Sequence, residues 1–286
     1  MNSAFYDAGC HGRLRRRRAL AGLLVFVLCV LVMAAVVIVV VVASGQAERV
    51  LSTAPGALAP VYFGLVSVPV IIAPGALLAG RVGLRQSPAE LVSNRRRFRP
   101  RLQLAAAAVG LAVGTAGTAA GVVVSGPLVE SAPLGTSAGI AILALLLLVP
   151  VQTFAEELAF RSVLVKLLVA VLPSSSGGRF PVHLWVVSVL SAALFAAIHG
   201  AIGGWLFAGH LVAALVWTWA ASRLGGIEAG AGAHAAGNLL LLTLLVTGVT
   251  LPASHGPAAF ATLLLTDATT IAIVLLLARR LPRLTG

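Results

Sequence analysis

The stretch FAEELAFRS, residues 154–162, sets two adjacent carboxylates and a guanidinium, Glu156, Glu157 and Arg161, inside an otherwise apolar run. A charge in hydrocarbon costs about 2.5–3.5 kcal/mol even on insertion scales, so these groups need water or partners. Glu157 and Arg161 are four residues apart, share a helix face and are expected to pair. Glu156 points about 100° further round the helix and is left free. Two further apolar runs carry polar groups at the same four-residue spacing: Phe195 and His199 in LFAAIHG, and His234 and Asn238 in GAHAAGN. Three helices therefore each offer a polar face. In lipid such faces converge on one another or on a water-filled cavity.

The residue types suggest what that convergence does. A carboxylate serves as general base toward water, particularly with an imidazole on the other side of that water, and Glu156 with His199 fits the pair. An amide donor one helical turn from an imidazole presents hydrogen bonds to the oxygen of a tetrahedral intermediate, which fits His234 with Asn238. Glu157 and Arg161 would neutralise each other and fix the helix that aims Glu156. Together these parts describe peptide-bond hydrolysis without a covalent nucleophile. Each part has a plainer reading when taken alone. A Glu–Arg pair at this spacing is usually structural, and a lone His in a helix is usually a packing residue; the joint appearance of all four groups favours chemistry. Phe195 is read as packing that also walls the cavity, His183 and His210 as packing or interface residues, and His11 and His255 as solvated.

The same residues carry a family resemblance. EELAFR has the form EExxxR, FAAIH the form FxxxH and HAAGN the form HxxxN, in the order found in the CPBP family of CAAX-protease and bacteriocin-processing enzymes, also called the ABI family. The resemblance covers roughly residues 100–250. It implies an intramembrane endopeptidase similar to the type II CAAX prenyl endopeptidases, with an all-α, eight-helix fold and a catalytic cavity between the later helices. It also implies that Glu156 and His199 activate water, that His234 and Asn238 form the oxyanion site, and that Glu157 and Arg161 support them. The family is described both as metalloproteases and as glutamate-dependent enzymes, and Glu156, His199 and His234 would be the zinc set, without the HExxH spacing of ordinary zincins. The metal-free version is preferred, since Asn238 is a poor zinc ligand and a good donor to an oxyanion.

The elements that must position these residues follow from composition. With 59% hydrophobic and 10% charged residues and a mean hydropathy of +1.05, the chain reads as a polytopic membrane protein. Apolar runs near 19–43, 58–80, 102–124, 139–168, 182–202, 205–222, 226–247 and 258–278 make about eight transmembrane helices. To bring His199 to the depth of Glu156, the fifth of these is expected to start near Ser188, with PVHLWVV at the interface. Basic residues should stay on the cytoplasmic side. With the N-terminus inside, the inner segments hold Arg13, Arg15 to Arg18, Arg81, Arg85, Arg95 to Arg97, Arg99 and Arg101, then Lys166, Arg179, Arg223, Arg279, Arg280 and Arg283. Both termini are therefore expected in the cytoplasm, with the protein integral to the cell membrane.

The net charge of +12 then reflects topology and attraction to anionic lipid. Nucleic acid is not an expected partner, because the arginines are scattered over loops without interleaved aromatics. The two cysteines, Cys10 and Cys29, suggest no disulfide framework. Residues 1–101 read as a basic tail, two helices and a basic loop, and 102–286 as the catalytic membrane domain, in which the Ala- and Gly-rich run 102–130 suits close helix packing. The expected partner is a membrane-associated peptide or protein substrate. The competing class is a non-catalytic membrane protein, either a transporter with polar groups along a path or a family member that only binds partners; no inverted repeat of the transporter kind is legible.

Overall fold

The structure, a computed structural model, describes residues 5–6, 13–52, 58–125, 129–130, 138–172, 182–199, 204–247, 249–250, 257–281 and 284. Hydrocarbon offers backbone groups no water, so apolar stretches satisfy their own N–H and C=O groups as helices. In chain order these are α1 (Arg13–Ala43), α2 (Ala47–Val50), α3 (Leu58–Ala79) with a π-helical extension Gly80–Leu84, α4 (Pro88–Val92), α5 (Pro100–Ser125), α6 (Ala138–Glu156) with a π-helical segment Glu157–Val163, α7 (Leu164–Val171), α8 (Val182–Ile198), α9 (Gly204–Leu224), α10 (Glu228–Val246) and α11 (Pro257–Arg280). Strands β1 (Val129–Glu130) and β2 (Val249–Thr250) pair antiparallel, Val129 opposite Thr250. The protein is an all-α polytopic membrane protein.

Among the described residues, seven helices are long and apolar enough to cross a bilayer. The eighth apolar run is shorter: α8 has 17 residues, about 25 Å at the α-helical rise against a hydrocarbon core of about 30 Å. It is helical from Val182, and Leu184 and Val187 are buried in the main core.

Two of the residues assigned above to basic inner segments lie inside the protein. Arg99 is 3% exposed and Lys166 1%. Arg99 Nη2 meets Glu228 Oε2 at 2.6 Å and its Nε meets Glu228 Oε1 at 2.8 Å. Its Nη1 donates to Leu224 O at 2.8 Å. Lys166 Nζ donates to Glu90 O at 2.9 Å and lies 3.9 Å from the Phe5 ring centroid. Arg95, Arg96 and Arg97 remain exposed. The side chains of Arg13, Arg179 and Arg283 lie outside the described residues, as do Cys10, His11, His255 and the side chain of His183.

Helix α10, which carries His234 and Asn238, is fixed at its start and along its side. At the start, the Arg99–Glu228 pair is joined by Ile227 N donating to Val92 O at 3.1 Å and Asn94 N to Gly225 O at 2.9 Å. Gly225 has φ +72, the left-handed turn that favours glycine. Along the side, α10 lies against the Ala- and Gly-rich α5, as small residues permit in a membrane. A Cβ at Gly232 would stand 2.2 Å from Gln103 O and 2.9 Å from the Ala106 Cβ. Gly232→Val should therefore push the helices apart and cost about 1–3 kcal/mol by overpacking. Thermal unfolding in detergent is expected to show a clearly lowered midpoint, and an unchanged midpoint would show that this approach is dispensable.

Candidate active site

The bundle holds polar groups at its centre: Gln152, Glu156, Glu157, Arg161, His234 and Asp267 are all buried. His234 is the hub. Its Nδ1 lies 3.1 Å from Glu157 Oε1, and its Nε2 lies 3.5 Å from Glu156 Oε2 and 3.4 Å from Asn238 Nδ2. A carboxylate only accepts, so Nδ1–H donates to Glu157, which fixes the imidazole's tautomer and plane. Asn238 Nδ2 also donates to Gln152 Oε1 at 3.3 Å.

Glu156 is therefore not turned away from Glu157; both carboxylates reach one imidazole. The helix changes from α to π at Glu157, a wider turn of the kind that occurs at functional sites, and His234 enters between the two acids. Glu157 Oε2 has Arg161 Nε at 3.4 Å. Glu156 Oε2 has no hydrogen-bond partner among the described residues. Glu156 is the less committed carboxylate of the two.

Arg161 is 1% exposed, and among the described residues its guanidinium makes no hydrogen bond. Its charge is met by Glu157 and by aromatic faces: the guanidinium carbon stands 3.8 Å from the Phe195 centroid and 5.2 Å from that of Trp217. Such contacts gain strength where water is excluded. Trp217 in turn stacks on His234, with centroids 4.4 Å apart and planes at 24°.

His199 ends α8. Its Nδ1 lies 2.7 Å from Phe195 O, so Nδ1 is the donor and Nε2 keeps its lone pair. The ring is 4.5 Å from that of Phe195 and stacks on His210 at 4.6 Å. Phe195 is 5.8 Å from His234 by centroids, so its ring neighbours both imidazoles. The imidazole beside Glu156 is His234. Among the described residues no three His, Cys, Asp or Glu side chains are grouped as a metal site.

Five contributors were not singled out from sequence. Gln152 sits one turn before Glu156 on the same helix, a spacing that could have flagged it. His210 is a packing residue whose ring stacks on that of His199. Asp267 is an acid in an apolar helix, a signal that was present. Trp217 carries no signal beyond its size. Tyr6 is 1% exposed, and its hydroxyl donates to Thr218 O at 3.3 Å. Burial, with the Glu157 charge adding, raises its pKa above the ordinary 10.0, so the phenol stays a donor.

Residues 138–240 match a known family, described as Type II CAAX prenyl endopeptidase Rce1-like. The matched stretch, a little over a third of the chain, resembles that family. The Rce1-like stretch holds Glu156, Glu157, Arg161, Phe195, His199, His234 and Asn238, whereas Tyr6, Arg99 and Asp267 lie outside it. A Bacillus subtilis relative, described as uncharacterized protein YyaK, is 36% identical over 104 residues, which is 34% of this chain and 32% of that protein. The match thus spans about a third of the relative's length. No solved structure matches the chain.

Proposed function

We propose that the protein is an intramembrane endopeptidase in which Glu156 activates water. The observation that carries the reading is the meeting of Glu156, Glu157 and Asn238 on one imidazole, His234, within the Rce1-like stretch. Glu156 Oε2 takes a proton from water as the water oxygen bonds to the scissile carbonyl carbon. The oxygen that becomes negative is met by the Asn238 amide N–H and by the Nε2–H of a His234 ring that has taken a proton from solvent before the step begins and keeps it throughout. Glu157 on Nδ1 stabilises that imidazolium. Glu156 then returns its proton to the departing amine as the C–N bond breaks. His199 offers a lone pair at Nε2 from the opposite wall and holds the water or the peptide there.

Glu156 supplies the base, so the reading needs no metal. Exhaustive chelation is expected to leave activity intact. Zinc at one per chain, with activity lost on its removal and restored on its return, would overturn the metal-free version and keep the protease.

The substrate class is a membrane-associated peptide or protein, with a prenylated CAAX-type C-terminus as the first case to try. The exposed Arg95 to Arg97 and the arginines at the ends of α1 and α11 favour both termini in the cytoplasm, with α8 as the eighth crossing and the cell membrane as the location. Purified protein in lipid nanodiscs, given quenched peptides with and without a farnesyl group, is expected to cleave at least one of them. Absence of any Glu156-dependent cleavage across the panel would reject the enzyme.

A further inference from the structure

Helix α11 carries one acid, Asp267, in the run PAAFATLLLTDATTIAIVLLLARR. Its side chain serves neither the water nor the oxyanion in the mechanism above. Asp267 is 7% exposed, and its Oδ2 has no hydrogen-bond partner among the described residues. Burying such a carboxylate costs stability, so its presence asks for a task. The carboxylate lies beside the Trp217 indole and within electrostatic reach of His234, Glu157 and Arg161. The indole N–H also has no hydrogen-bond partner among the described residues. The indole face, meanwhile, covers His234 at 4.4 Å.

We propose that Asp267 is a positioning residue: its carboxylate accepts the Trp217 indole N–H and so holds the indole flat against His234. The inference rests on the hydrolase reading. His234 is held at its edge by Glu157 and Asn238, and those contacts leave its faces open to tilting. The indole closes one face. Its own orientation about the ring torsion is fixed by an acceptor at Nε1, which α11 supplies from outside the Rce1-like stretch.

The test compares Asp267→Ala, Asp267→Asn, Trp217→Phe and the double variant Asp267→Ala/Trp217→Phe on the farnesylated quenched peptide in nanodiscs. Misplacing a catalytic group by about 1 Å costs up to roughly 10²-fold. Asp267→Ala and Trp217→Phe are therefore each expected to lower kcat about 10-fold or more, with KM changed by no more than about 2-fold. The two losses should not multiply in the double variant. Asp267→Asn keeps an acceptor oxygen and should retain most of the activity. Thermal midpoints should fall little in Asp267→Ala, since the one hydrogen bond lost is offset by no longer burying a carboxylate.

A second readout needs no substrate. The His234 ring resonance, assigned by its loss in His234→Gln, should move in Asp267→Ala and stay in Asp267→Asn. Wild-type kcat in Asp267→Ala, an Asn variant as poor as the Ala variant, or losses that multiply would each overturn the proposal. If Asp267→Ala does not fold, Asp267→Asn and Trp217→Phe still decide it. If wild-type protein cleaves no peptide, the hydrolase reading falls, and the His234 resonance separately decides the positioning.

Discussion

Glu156→Ala should lower kcat/KM by about 10²-fold or more while leaving yield and thermal midpoint near those of the parent protein. The first half follows from the loss of the base: with Glu156 gone, water meets only imidazoles, and removing a general base costs about 10²–10⁴-fold. The second half follows from the contacts. Glu156 Oε2 has no hydrogen-bond partner among the described residues, and its closest charged neighbour is His234 at 3.5 Å. No buried cation loses its counter-charge, because Arg161 keeps Glu157 at 3.4 Å. The measurement is initial-rate kinetics on the farnesylated and unprenylated peptides, alongside a thermal scan in the same detergent. Near-normal turnover would end the role given to Glu156, and collapse of the fold would show that it is structural.

Glu157→Gln should behave in the opposite way, losing folded protein first. Glu157 is 0% exposed and holds both Arg161 and His234. Breaking a buried pair from one side costs about 3–5 kcal/mol, because the remaining charge stays without compensation. The Phe195 and Trp217 faces soften this for Arg161, since aromatic faces attract cations. The amide oxygen of Gln can still accept the His234 Nδ1–H, so the imidazole keeps its tautomer while the imidazolium loses its counter-charge. Size-exclusion yield and thermal midpoint are expected to fall, and the surviving fraction should turn over more slowly. A variant with parental yield, midpoint and rate would show that the pair is dispensable.

The contrast between two neighbouring glutamates shows what local spacing conveys. The 3.6-residue period places Glu157 and Arg161 together from sequence alone, and the pair is present at 3.4 Å. The same period turned Glu156 away, which missed the π-helical segment beginning at Glu157. A helix widens when tertiary packing rewards it, and no local pattern in EELAFRS announced that.

The sequence by itself determined the solvent, because an apolar fraction of 59% is insoluble outside a bilayer. It also determined which helices carry polar faces, because four-residue spacing is a property of one helix. Which faces meet was decided only by the fold. Arg99 and Glu228 are 129 residues apart. Asp267 lies near the site from the last helix, and Tyr6, from the opposite end of the chain, donates to Thr218 O. Lys166, legible as a loop cation, is buried because Glu90 O and the Phe5 ring receive it. His234 stands beside Glu156 because glycine at 232 lets α10 settle against α5, and the Arg99–Glu228 pair fixes where α10 starts. Those are long-range steric and electrostatic facts, and a helical period carries no information about them.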